Sequence, residues 1–140
     1  MRERVQRLET ALECVPQVEC PVRHHFAPGV YVREMTVPAG TIATGAVHKT
    51  EHLTIVVGHC WLTTDEGVKE LVGWNVVKSA PGIKRAITTV TDTKVTTIHA
   101  TDETDMDKLV ELLTESKASE LLGGPDNRQC LAHEATKVEG

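Results

Sequence analysis

The chain reads as all-β: a small barrel or jelly roll carrying a short N-terminal helix and a C-terminal helix. Two observations lead there. From Val30 to Ala100, apolar and polar residues alternate in runs of four to eight, punctuated by Pro-Ala-Gly, Asp-Glu-Gly, Pro-Gly and Thr-Asp turns, the pattern of about eight short strands. The helical period of three and four appears only outside that span, near the two ends. The composition agrees. Hydrophobic residues are 40% of 140, enough for one domain with a core of its own. Aromatics are only 3%, so that core must be built from Val, Ile, Leu and Ala, with Thr supplying strand propensity.

Residues 2–13 are expected to form a helix, with Val5, Leu8 and Leu12 in one apolar stripe and Pro16 beyond its end. So short a helix is unstable alone and must dock. Val18 to Val22 carries Pro21 and suits a sheet edge. His24 and His25 follow, then a turn over Phe26-Ala27-Pro28-Gly29. Strands are predicted over Val30–Val37, Thr41–His48, His52–Gly58, His59–Thr64, Val68–Val72, Trp74–Ser79, Lys84–Val90 and Thr93–Ala100, with a hairpin turn at Asp65-Glu66-Gly67. The period then changes. Thr104 to Asp107 resembles a capping sequence, and Met106, Leu109, Val110 and Leu113 make a second stripe. This helix is expected to run from 104 to 122 and to stop at Gly123-Gly124-Pro125. A polar tail, 123–140, completes a single domain of residues 1–140.

At the centre stands His48-Lys49-Thr50-Glu51-His52. In extended backbone, residues of equal parity share a face, so His48 and His52 point into one interior while Lys49 and Glu51 point out. Residues 16–101 resemble the cupin family. In that family's first motif His48 takes the place of the second His, Ala46 that of the first, and His52 that of the metal-binding Glu. Gly58 follows one residue short of the family spacing. Aligning on Glu51 restores the spacing to Gly58 but leaves no His at either His position. The second motif is echoed at Pro81-Gly82, with Arg85 where a His is usual. Pro38-Ala39-Gly40, the His48/His52 pair, Gly58, Pro81-Gly82 and Ile98-His99 are also similar to a group of small phage-encoded cupin-like proteins.

Two chemistries suit these residues. His48, His52 and His99, which shares parity with Val95 and Thr97, could hold a divalent transition metal such as Zn, Fe, Mn or Ni. Ala46 and Arg85 at ligand positions favour instead packed histidines in a barrel that has lost its metal. Arg85, with Lys84, could hold a carboxylate or phosphate, or else pair with Glu51. No nucleophile elbow, phosphate loop or dinucleotide glycine pattern is present.

The net charge of −5 without a basic run argues against nucleic acid. Nothing in the sequence reads as a membrane segment. Cys14, Cys20, Cys60 and Cys130 form no Cys-x-x-Cys pair, which suits a reducing cytoplasm, here a host cytoplasm, with residence in a virion as a later step. The preferred functional expectation is a non-catalytic phage structural or assembly protein. It would form a dimer or trimer through Val5, Leu8 and Leu12, with other virion proteins as partners. The competing one is a metal-dependent enzyme or small-molecule binder using His48, His52 and His99.

Overall fold

Val30 to Val37 and Thr93 to Ala100 behave as their alternation demands and set the frame. The computed structural model describes residues 1–64 and 66–116, together with the backbone of 130–131. In chain order the elements are α1 (Arg2–Leu12), β1 (Val22–Ala27), β2 (Val30–Val37), β3 (Ile42–Thr44), β4 (His52–Thr64), β5 (Gly67–Ser79), β6 (Ala86–Thr89), β7 (Thr93–Ala100), α2 (Met106–Leu113) and β8 (Cys130–Leu131). All strands join one curled antiparallel sheet in the order β1-β2-β7-β4-β6-β3-β8, with β5 added on β4. The expected polar tail lies outside the described residues except for β8, which pairs with β3.

The thirteen-residue β4 is the spine. One edge pairs with β5 along its whole length, from His52↔Ser79 to Thr64↔Gly67. The other edge pairs first with β7, through Leu53–Val57, and then with β6, through Cys60–Leu62. The change of partner falls at Gly58, whose φ is +143°. The β6–β7 turn hooks onto the next residue: Val90 and Thr91 N–H both donate to the His59 carbonyl, and His59 N–H donates to Thr91 Oγ1. β5 is likewise one strand where the alternation suggests two, because Gly73 stays in the ladder opposite Gly58.

Other boundaries move for local reasons. β1 takes in Phe26 and Ala27, which pair with Tyr31 and Val30, so the turn shrinks to Pro28-Gly29. β3 is only three residues, followed by one more bond in the same register, from Gly45 N–H to the Arg85 carbonyl. β6 starts at Ala86 because Lys84 turns away to α1. Helix α2 is capped by Asp105, not Thr104: its carboxylate accepts from Lys108 N–H at 3.1 Å. It ends at Leu113, well before 122, because Thr114 turns extended and bridges to His48. The expected stop at Gly123-Gly124-Pro125, and Asp65 of the β4–β5 turn, lie outside the described residues.

The main core joins Cys20, Val37, Ala43, Val56, Cys60, Leu62 and Ile87, aliphatic and sulfur-bearing as the composition requires. Helix α1 docks on the barrel of its own chain. Val5 and Leu12 are buried there and Leu8 is half-buried, so a neighbouring subunit is not needed to cover this stripe. A buried ion pair fixes the helix: Lys84, 4% exposed, reaches Glu9 at 3.0 Å and the Gly45 carbonyl at 2.9 Å, and Thr44 Oγ1 donates to Glu9 at 2.6 Å. With both charges satisfied the pair is tolerated, and removing one partner would strand the other in the interior.

A methyl group at residue 58 would lie 2.6 Å from Thr93 Oγ1 and 2.9 Å from the Asp92 carbonyl, both in the turn that the partner exchange needs. Gly58→Ala is therefore expected to destabilise the fold by about 2 kcal/mol or more. Urea unfolding monitored by circular dichroism checks this, and an unchanged midpoint would contradict it.

Candidate functional site

Inward-facing parity on four strands builds the site. On β4, Thr54, Val56 and Leu62 face inward; β5 adds Val77 and Ser79; β2 adds Tyr31, Arg33 and Met35; β7 adds Val95, Thr97 and His99. They line a cavity of about 170 Å³. Helix α2 forms part of its wall with Met106, Leu109, Val110 and Leu113. The last residue of the helix and the segment after it are laced to the segment carrying His48. Lys49 N–H donates to the Leu113 carbonyl at 2.7 Å, and Glu115 N–H donates to the Val47 carbonyl at 2.8 Å. From the other side Gly82 N–H, in the Pro81-Gly82 turn, donates to the His48 carbonyl at 2.9 Å.

The three histidines named from sequence do meet in this cavity. Ring centroids are 4.3 Å apart for His48–His52, 4.8 Å for His52–His99 and 5.3 Å for His48–His99. Tyr31 stacks on His99 at 5.8 Å and on Phe26 at 5.2 Å, and its hydroxyl hydrogen-bonds His24 at 2.7 Å. All three clustered imidazoles have their pKa pushed down, chiefly by burial. His48 falls well below the ordinary range, with the charges His52, His99 and Arg33 would set beside it adding to the effect. His52 is lowered by burial and by Arg85, against a hydrogen bond to the Thr50 carbonyl that works the other way. His99 is lowered to about 4 by burial, His52 and Arg33. At neutral pH the cluster is uncharged.

Neutral imidazoles suit metal ligation, and His52 Nδ1 on the Thr50 carbonyl resembles the outer contact of a ligating histidine. The arrangement does not. Among the described residues no three His, Cys, Asp or Glu side chains are placed to hold a metal ion. The His48 and His99 ring planes lie 16° apart, Ala46 and Arg85 line the cavity where the resembled pattern has His, and a second guanidinium, Arg33, lines it as well. These residues do not fit a transition-metal centre.

Arg85 lines the cavity as expected, its Nη1 donating to the Thr63 carbonyl at 2.7 Å and its Nε to Ser79 Oγ at 3.2 Å. Glu51 and Lys84 do not join it. Glu51 is exposed and pairs with Lys78 at 3.4 Å, because its parity turns it outward, while Lys84 is held by Glu9. Sequence reasoning missed Tyr31, Arg33 and Thr97. The signal was available: Tyr31, Arg33 and Met35 share one parity on β2, and Tyr31 sits opposite His99 in register.

Two buried side-chain atoms among the described residues lack a hydrogen-bond partner, Thr97 Oγ1 and His99 Nδ1. Both residues line the cavity. The described lining contains Arg33 and Arg85 but no Asp, Glu or Lys. The result is an apolar chamber with positive charge, neutral imidazoles and unsatisfied hydrogen-bonding capacity.

No family model matches the chain, and no curated protein matches it in sequence. Solved structures do resemble it. A Cupin_2 domain of an XRE family transcriptional regulator from Enterobacter cloacae is 15% identical, over 59% of this chain and 97% of that one, with a TM-score of 0.47. An HTH_3 family transcriptional regulator from Vibrio cholerae is 17% identical, over 59% of this chain and 51% of that one, with a TM-score of 0.46. A salicylate 1,2-dioxygenase from Pseudaminobacter salicylatoxidans is 9% identical, over 80% of this chain and 35% of that one, with a TM-score of 0.56. The chain thus spans about a third of the dioxygenase's length. The narrower likeness to phage-encoded proteins has no support among them. At such identities the likeness concerns architecture. The curled antiparallel sheet with its two short helices is a cupin-like fold.

Proposed function

We propose that this protein binds a small organic anion inside its barrel. The observation that carries the reading is the cavity lining: two guanidiniums and no acid among the described residues, beside the orphaned His99 Nδ1 and Thr97 Oγ1. A buried polar atom without a partner costs about 1–3 kcal/mol, which a ligand oxygen or hydroxyl would recover. Carboxylates are the natural match for guanidinium donors. The size is limiting. Cavities of roughly this volume hold a single benzene-sized molecule, a size that a compact carboxylate matches. The apolar lining, with Met35, Val56, Val77, Val95 and Leu109, suits a hydrocarbon or aromatic body. The reading as a phage assembly protein has no observation in the fold or among its neighbours behind it.

Benzoate at ten times its dissociation constant should raise the melting temperature by a few degrees, whereas benzamide, its neutral isostere, should not. Arg33→Gln should weaken the benzoate response about tenfold or more. Thermal shift and calorimetry read both, and equal responses to acid and amide would defeat the proposal. Elemental analysis after dialysis is expected to give well below one transition-metal equivalent per chain. A full equivalent, lost in His48→Ala/His52→Ala, would replace this reading by a metal-centred one.

The lowered histidine pKa values also make stability depend on pH. The folded state binds fewer protons than the unfolded chain below about pH 6.5, so stability is full above that pH and falls as pH drops towards 4. His99 alone, at about 4 in the fold, accounts for about 3 kcal/mol across this window. Urea midpoints between pH 8 and pH 4.5 test it; a flat profile would mean the cluster is not buried neutral.

A further inference from the structure

The outer face of the β4–β5 hairpin is apolar and exposed. Opposed pairs in register are Ile55–Val76, Val57–Trp74, His59–Val72, Trp61–Glu70 and Thr63–Val68. Trp74 is 64% exposed, Val72 66%, Val68 59% and Val76 51%, while Val57 and Trp61 are each a little over two-fifths exposed. Together with Leu53 they present on the order of 600 Å² of apolar surface, more than scattered surface residues amount to and close to one partner's share of a stable interface. Among the described residues, β5 is also an open edge, pairing only with β4.

We infer that this face is the contact surface of a two-fold homodimer, with the β5 strands of two copies running antiparallel across Trp74. The occupant is a second copy because the strand is complementary to itself. Reversing β5 about Trp74 sets Trp74 against Trp74, Val72 against Val76, and Glu70 against Lys78 of the other copy. A two-fold interface needs this property, since the same patch must serve both sides. In one chain Glu70 is held by His59 at 2.7 Å and Lys78 by Glu51 at 3.4 Å, both at the surface, so each charge can be shared across the contact without being buried alone. The inner face of the same strands lines the cavity, through Val77 and Ser79, which places the interface one sheet thickness from the ligand site. The contact uses the hairpin and not the α1 stripe, whose Val5 and Leu12 the chain already covers.

Sedimentation velocity on the full chain at high micromolar concentration tests this. Wild type should run at twice the 15.3 kDa chain mass. Val72→Glu/Trp74→Glu, at positions too exposed to disturb the fold, should run as a monomer with unchanged circular dichroism. Val68→Lys/Val76→Lys is a second disruption, should the first pair misfold. Glu70→Lys and Lys78→Glu should each raise the dimer dissociation constant several-fold, and the double reversal should restore it. A monomeric wild type would leave the face to a different partner and overturn the proposal. So would a dimer that survives both hairpin variants, or one that Leu8→Asp/Leu12→Asp dissociates while they do not.

Discussion

At Gly58 the backbone of β4 comes so close to Thr93 and the Asp92 carbonyl that there is no room for a Cβ. That close approach lets one strand pair with β7 and β6 in succession along the same edge. A strand limited to one neighbour per edge would extend an open, twisted sheet. By exchanging neighbours at a glycine, β4 curls the sheet around an interior. The β6–β7 turn is held at the junction by hydrogen bonds to both the N–H and the carbonyl of His59, so the approach is locked as well as permitted.

Once β4 is the spine, the period of two gives its faces different work. Even residues Thr54, Val56 and Leu62 line the cavity, whereas odd residues Leu53, Val57 and Trp61 face solvent. Two of the chain's few large aromatics, Trp61 and Trp74, are spent on the outer face and not on the core. The core manages with Val, Ile, Leu, Ala and two buried cysteines. The aromatic group inside is the strip formed by Tyr31 and the histidines, so the cavity is bordered by polarizable rings with hydrogen-bonding atoms and not by bulk hydrocarbon alone.

The charge state of the interior follows from the same geometry. Three imidazoles within 4.3–5.3 Å of one another cannot all carry protons in a buried site also lined by Arg33 and Arg85. They are held neutral, which leaves the guanidiniums as the charged groups of the described lining. Ala46 and Arg85 stand where the resemblance places metal ligands, and the guanidinium of Arg85 in this lining is part of what the proposed anion binding rests on.

Much of this was legible in the chain. The strands Val30–Val37 and Thr93–Ala100, the two terminal helices and the meeting of His48, His52 and His99 all follow from alternation, turn residues and parity, which act locally. Parity also puts Glu51 outside, a consequence the charge-pair expectation overlooked. Tertiary structure decided the rest. Lys84 left the pocket because Glu9, a half-buried carboxylate on the N-terminal helix, claimed it. Helix α2 stopped at Leu113 because Thr114 found a bridge to His48, and no helix propensity in residues 114–122 encodes that contact. Arg33 became a wall of the cavity only when β2 paired with β7. These are contacts between residues far apart in sequence, and their energies depend on the closure of the barrel, which local patterns imply as a class but do not specify pair by pair.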